Sequence, residues 1–172
     1  MKDFVDVNTG EVVVCSGKFV LRALAMGSCI ALTAYDATTQ IAAMAHIMLP
    51  GRAPQRSRQK TRYAVNAIEQ MLDRMCGQGA NAGNIEACLI GAGNVLRKKD
   101  DTICEDNIEF VTGILAAKDI PVRASVVGGT KRKSAYLDTA TGTVTYCRGN
   151  EVEKQLWRPS SKSAVKQYSG NG

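Results

Sequence analysis

Two apolar segments around a short polar turn constrain the fold of this chain more than any other feature. Residues 29–36 and 41–49 each have the composition of a strand, and residues 37–40 between them have the composition of a turn. An antiparallel hairpin brings the start of its first strand close to the end of its second. Cys29 stands at that start, and His46, the only histidine of the chain, stands near that end. The pattern therefore favours a thiol and an imidazole side by side.

The chemistry available to Cys29 and His46 is acyl transfer from an amide. A thiol needs a base to act as a nucleophile at neutral pH, and an imidazole is the usual base. The tetrahedral intermediate needs N–H donors for its oxyanion, and Gly27 permits a close backbone approach beside the thiol. Ser28 is either a hydrogen-bonding residue behind the site or simply a small neighbour of the glycine. Taken alone, the cysteine and the histidine also fit a packing role in the core.

Length and composition bound the class of protein. A chain of 172 residues with 45% hydrophobic residues fits one domain with a full core, and its apolar runs are too short to cross a bilayer. The first residues lack the apolar core of a signal peptide, so we expect a cytoplasmic protein without membrane insertion. The six cysteines form no Cys-x-x-Cys pair. With a single histidine, we therefore expect reduced thiols, no metal site and no cofactor.

The rest of the chain has a strand-rich α/β pattern. Periodic apolar positions predict helices over residues 61–75 and 102–118. The further predicted strands are residues 11–15, 19–25, 84–90, 121–127, 134–139 and 143–147. We expect a single domain over residues 1–157 and a mobile C-terminal tail over residues 158–172, because the tail is poor in apolar residues.

Several short motifs occur in a fixed order along the chain. They are Gly27-Ser28-Cys29, Met44-Ala45-His46-Ile47-Met48-Leu49-Pro50, Gly91-Ala92-Gly93, Asn107 and Gly128-Gly129. Together they resemble the CheD family, the chemoreceptor glutamine deamidases of bacterial and archaeal chemotaxis. The resemblance extends over roughly residues 10–150, so it does not depend on a single short motif of the kind that often matches by chance.

The resemblance implies a fold and an activity. It implies a three-layer α/β sandwich with a β-rich core flanked by helices, similar to bacterial toxin deamidases. It also implies that the Cys29 thiolate and His46 convert glutamine side chains of chemoreceptor cytoplasmic helices to glutamate with release of ammonia. Gly27 and Ser28 would shape the oxyanion site. A CheC-type phosphatase is the second partner that the resemblance implies.

One departure from the family pattern supports an alternative. The family commonly has a threonine a few residues before Gly-Ser-Cys, and its hydroxyl orients the histidine, whereas this chain has Ala23 there. A neutral histidine needs a partner on its other nitrogen, and a backbone carbonyl, a water or another hydroxyl would also serve. The alternative is therefore a weakly active or inactive CheD-like binding module that regulates a CheC-type phosphatase or a receptor.

The formal charge of +6 is concentrated in a few basic runs. The first lies in the segment after the predicted hairpin, where Arg52, Arg56 and Arg58 are candidates for contact with an acidic receptor helix. Two further runs are residues 97–99 and 131–133. Such runs are equally often solvated loops. Aromatic residues make up only 5% of the chain and none interleaves residues 52–60, so we do not expect nucleic-acid binding.

Overall fold

The computed structural model describes residues 1–160, and over those residues the chain forms ten strands and two α-helices. The strands are β1 (Asp3–Asp6), β2 (Val12–Cys15), β3 (Phe19–Met26), β4 (Ile30–Asp36), β5 (Ile41–Ile47), β6 (Ile85–Gly91), β7 (Val122–Val127), β8 (Lys133–Asp138), β9 (Val144–Arg148) and β10 (Lys154–Trp157), and the helices are α1 (Ala64–Gly77) and α2 (Ile103–Ala117). Most of the predicted tail, residues 161–172, lies outside the described part of the chain.

The strands form two five-stranded sheets. The outer sheet has the order β1-β3-β8-β9-β10, and the central sheet has the order β2-β5-β4-β6-β7. Strands β4 and β5 are the predicted hairpin, paired antiparallel from Ile30 opposite Ile47 to Asp36 opposite Ile41. Every residue of both strands is buried, which explains why apolar residues dominate both faces instead of alternating with polar ones.

The sheets and helices stack in three layers around two cores. One face of the central sheet packs against both helices, where α1 contributes Ala64, Ala67, Ile68, Met71 and Met75. The other face packs against the outer sheet. The expected three-layer α/β sandwich with a β-rich core is therefore confirmed, with both helices on the same side. Across residues 1–160, neither helix is long and apolar enough to span a membrane.

Two strands, both at edges of the outer sheet, were not predicted from the sequence. Strand β1 pairs parallel with β3, and β10 pairs antiparallel with β9. Both are four residues long and contain no buried residue, so neither carries the alternation of buried and exposed positions by which strands are recognised. The predicted start of the first helix, residue 61, is also too early. It begins at Ala64, and residues 60–62 form a single 3-10 turn before it.

Candidate active site

Cys29 is the last residue before β4, and main-chain hydrogen bonds hold the segment that carries it. The N–H of Ala92 donates to the carbonyl of Cys29 at 2.7 Å, and the N–H of Gly93 donates to the carbonyl of Gly27 at 2.9 Å. Both donors follow β6, the neighbour of β4 in the central sheet. The position of the thiol is therefore set by the backbone of the central sheet.

The close approach that these bonds require is made possible by a glycine of the partner segment. Gly91 has φ +124°, and a Cβ there would lie 2.3 Å from the carbonyl oxygen of Cys29. No side chain fits at that distance, so position 91 requires glycine. By contrast, a Cβ on Gly27 would meet Arg132 and Val95 only at 3.9 Å, which is an ordinary contact. Packing among the described residues therefore does not require glycine at position 27, and the close backbone approach expected there is made at Gly91 instead.

Two main-chain donors beside the thiol are free. Among residues 1–160, the N–H groups of Ser28 and Cys29 have no acceptor. In a trans peptide the C=O and the following N–H point to opposite sides. Because the carbonyl of Gly27 points to Gly93, the N–H of Ser28 points away from β6. An unpaired pair of backbone N–H groups at a nucleophile is the arrangement that stabilises an oxyanion.

His46 lies on the same face of the central sheet as Cys29. It is paired with Ala31 across β4 and β5, and Ala31 is two residues from Cys29, so the two side chains are diagonal neighbours. Diagonal neighbours are about 7–8 Å apart at Cα. Within the described residues, no hydrogen bond joins the sulfur of Cys29 to the ring of His46. The structure places the pair on one face and leaves a gap between the two groups.

The imidazole of His46 is held by a main-chain carbonyl. Its Nδ1 lies 2.9 Å from the carbonyl oxygen of Val7. A carbonyl only accepts, so Nδ1 carries the proton and the lone pair is on Nε2. Val7 is held in turn by its own N–H, which donates to the carbonyl of Arg22 on β3 at 2.8 Å. This carbonyl supplies the orienting partner that Ala23 lacks.

Burial keeps both groups neutral. Desolvation lowers the pKa of His46 from its usual value of 6.5, and the bond to Val7 and the charge of Glu11 offset this only partly. Desolvation raises the pKa of Cys29 above its usual value of 9.0, and the nearby thiol of Cys104 adds to the increase. The resting pair is therefore a thiol and a neutral imidazole, and the base is ready to accept a proton at neutral pH.

The lowered pKa of His46 predicts a pH dependence of stability. The unfolded chain binds the proton near pH 6.5, whereas the folded protein binds it only at lower pH. We expect the free energy of unfolding to fall as the pH decreases from about 6.5 through the folded pKa of His46. Urea unfolding at a series of pH values, with His46→Gln as the matched variant, isolates this contribution. If the free energy of unfolding changed equally with pH in both proteins below about pH 6.5, the pKa of His46 would not be lowered by folding.

The thiol of Cys29 lines a cavity of about 300 Å³ with an uneven charge. Its basic residues are Lys98 and Arg132, and its acidic residue is Asp101. The guanidinium of Arg132 donates to the carbonyl of Ala25 at 3.1 Å, and no carboxylate pairs with it within residues 1–160. His46 lines a different recess, between β1 and β3.

The basic residues chosen from the sequence lie elsewhere. Arg52 forms a bidentate pair with Glu69 on α1, at 2.6 and 3.1 Å, and Arg56 and Arg58 are exposed. None of the three lines the cavity of Cys29. The two later basic runs, residues 97–99 and 131–133, carry no sequence signal that connects them to the thiol. Only the fold shows that one residue of each run, Lys98 and Arg132, reaches the cavity.

The fold and the site together define a class of protein. It is an α/β protein in which a cysteine and a histidine share one face of a sheet and the cysteine lies beside free backbone N–H donors. Comparison with known families makes this more specific. Residues 48–148 match the family model described as CheD chemotactic sensory transduction. The chain belongs to the CheD family. The match begins just after the segment that contains Cys29 and His46.

Individual relatives agree with this membership. A protein of Chlorobium luteolum named probable chemoreceptor glutamine deamidase CheD is 39% identical over 150 residues, which are 87% of this chain and 75% of the relative. A Methanosarcina mazei protein named probable chemoreceptor glutamine deamidase CheD 1 is 33% identical. The matched region is 80% of this chain and 62% of the length of that relative. The chemoreceptor glutamine deamidase CheD of Halalkalibacterium halodurans is 26% identical. The matched region is 91% of this chain and the full length of that relative.

Proposed function

We propose that this protein is a cytoplasmic chemoreceptor glutamine deamidase that uses Cys29 as its nucleophile and His46 as its base. The observation that supports this most is the combination of groups at the start of β4. A thiol lies beside two free N–H donors, on the same sheet face as an imidazole whose Nε2 is unprotonated. The names of the relatives supply the substrate class, which the geometry alone does not specify.

The reaction begins when Cys29 attacks the side-chain carbonyl of a glutamine. Nε2 of His46 accepts the thiol proton as the C–S bond forms, and the carbonyl oxygen becomes an oxyanion. The N–H groups of Ser28 and Cys29 donate to that oxygen. His46 then returns the proton to the departing nitrogen, which leaves as ammonia. A glutamyl thioester remains on Cys29.

Hydrolysis of the thioester uses the same groups. Nε2 of His46 takes a proton from a water molecule, and the resulting hydroxide attacks the thioester carbonyl. The C–S bond breaks, glutamate is released and the sulfur of Cys29 regains its proton. The resting gap between sulfur and imidazole must close for this cycle, and catalytic hydrogen bonds commonly shorten only when substrate is bound. The product adds one negative charge to the partner protein.

The charge of the cavity fits an acidic substrate. Lys98 and Arg132 lie beside the thiol with only Asp101 opposing them, and an acidic helix would be attracted to this surface. Arg52, Arg56 and Arg58 remain candidates for contacts farther along such a helix, because all three are exposed. Lys98 and Arg132 therefore attract the substrate more than the three exposed arginines do.

Removing the charge of Arg132 should weaken substrate binding more than catalysis. We expect Arg132→Ala to raise KM for a chemoreceptor fragment by about 3- to 10-fold at low salt, with a smaller effect at high salt. Lys18→Ala is the matched control, because it removes one exposed charge at the opposite end of β3, about 25 Å away. Steady-state kinetics at two salt concentrations measure both variants. An equal increase of KM in Arg132→Ala and Lys18→Ala would show that only the net charge of the protein matters.

The alternative is a binding module that regulates a CheC-type phosphatase or a receptor with little catalysis of its own. The specific observation in its favour is the missing hydrogen bond between Cys29 and His46 in the described structure. Incubation with a chemoreceptor cytoplasmic fragment separates the two functions. Glutamine-to-glutamate conversion detected by mass spectrometry supports the deamidase. Binding of the fragment without conversion supports the module.

A further inference from the structure

The buried apolar face of α2 contains an asparagine. Asn107 is fully buried, and the other buried residues of that helix are Cys104, Val111 and Leu115. Burying an amide is unfavourable unless its polar atoms are satisfied. The contacts of Asn107 therefore show what the amide does at this position.

Both protons of the Asn107 amide are donated to main-chain carbonyls of the candidate active site. Nδ2 donates to the carbonyl of Ser28 at 3.0 Å and to the carbonyl of Met48 at 3.1 Å. Ser28 directly precedes Cys29, and Met48 is two residues after His46. One side chain thus connects the helix to the two segments that carry the nucleophile and the base.

The acceptor of the same amide is left without a partner. Oδ1 of Asn107 is buried and has no hydrogen bond within residues 1–160. The opposite orientation of the amide would direct Oδ1 at two carbonyl oxygens, so the assignment of the two atoms is fixed by their neighbours. An unsatisfied buried acceptor destabilises a protein. The contribution of Asn107 to the structure therefore comes from its two donated hydrogen bonds and not from the packing of its side chain.

We propose that Asn107 is a positioning residue that aims the N–H of Cys29 at the substrate oxyanion. The carbonyl of Ser28 and the N–H of Cys29 belong to the same trans peptide and point in opposite directions. With that carbonyl held at Asn107, the N–H is turned away from α2, and no acceptor within residues 1–160 competes for it. This inference rests on the proposed function, since it assigns a donor to the acyl-transfer step.

The bond to Met48 has a related consequence. Strand β5 ends at Ile47, and Met48 follows it in irregular backbone. The amide of Asn107 fixes the end of β5 relative to the start of β4, and so fixes the diagonal spacing of Cys29 and His46. Within residues 1–160, Asn107 makes no hydrogen bond to either reacting side chain. It acts through the two backbone segments.

Two reactions of Cys29 test the proposal without any receptor. 4-Nitrophenyl acetate acylates the sulfur through a tetrahedral oxyanion and releases 4-nitrophenolate. Iodoacetamide alkylates the same sulfur by displacing iodide, with no oxyanion. The ratio of the two rates at Cys29, followed by mass spectrometry of the Cys29 peptide, therefore reports stabilisation of the oxyanion. A general change in thiol exposure or pKa alters both rates together.

We expect Asn107→Leu, which keeps a similar volume without donors, to lower the ratio of acylation to alkylation about 10- to 100-fold. Asn107→Ala serves as a second variant should leucine prevent folding, and circular dichroism verifies the fold. Val111→Ala is the matched control, since it removes buried volume one turn along the same face. It should leave the ratio unchanged.

Two results would overturn the proposal. The first is an unchanged ratio in a folded Asn107 variant; if both rates fell in parallel, Asn107 would only place the thiol. The second is an equal decrease of the ratio in Val111→Ala. A wild-type protein that reacts with both reagents but deamidates no chemoreceptor fragment would refute the proposed function, and the ratio would still decide the role of Asn107.

Discussion

Replacing Cys29 with alanine should reduce deamidation of a chemoreceptor fragment by a factor on the order of 10⁴ or more. The variant removes the atom that forms the acyl-enzyme bond. Cys104 is the one other cysteine among the residues that line the cavity, and it is buried on α2. The free N–H donors at position 29 persist in the variant, so substrate binding should change little and the loss should appear in kcat.

The matched control for this prediction is Cys147→Ala. Cys147 is also half-buried, but it lies on β9 of the outer sheet, away from β4. We expect wild-type kinetics for this variant within about twofold, because it touches neither the cavity nor the hairpin. If Cys29→Ala retained more than a few per cent of the activity while folded, the nucleophile assignment would be wrong.

Replacing His46 with alanine should lower kcat by about 10³- to 10⁴-fold. The thiol of Cys29 has a pKa raised by burial, so without a base almost none of it is ionised at neutral pH. The recess that His46 lines is open at the surface between β1 and β3. Added imidazole should therefore restore part of the activity of His46→Ala, and it should restore none to Cys29→Ala.

The pH profile gives an independent check on the base. The pKa of His46 in the free protein is lowered by burial, so the acidic limb of the wild-type kcat/KM profile should have its midpoint below pH 6.5. That limb should be absent from His46→Ala, because no imidazole remains to be protonated. Failure of imidazole to rescue, together with an unchanged acidic limb in the variant, would assign the base to another group.

Much of the fold could be predicted because it is encoded in local apolar patterns. The hairpin of β4 and β5 is predicted by two mainly apolar segments around a turn, and each helix is predicted by periodic apolar positions. The register of that hairpin pairs His46 with Ala31, and it therefore places Cys29 and His46 on the same face of the central sheet. In each case the information lies within a few residues of the element that it determines.

The parts that could not be predicted depend on main-chain contacts between distant segments. The partner of His46 is the carbonyl of Val7, and any residue at that position has a carbonyl. Strand β1 positions it, and β1 is too short and exposed to show a pattern. Likewise, Asn107 binds two carbonyls that lie 79 and 59 residues away in sequence, which no motif near Asn107 reveals.

The central claim is that Cys29 and His46 together hydrolyse a glutamine side chain of a chemoreceptor. The most direct test is site-resolved mass spectrometry of a cognate chemoreceptor cytoplasmic fragment after incubation with wild type, Cys29→Ala, His46→Ala and Cys147→Ala. We predict conversion of specific glutamines to glutamate by the wild type and by Cys147→Ala alone. Conversion of the same glutamines by folded Cys29→Ala, or none by the wild type while the fragment is bound, would contradict the account.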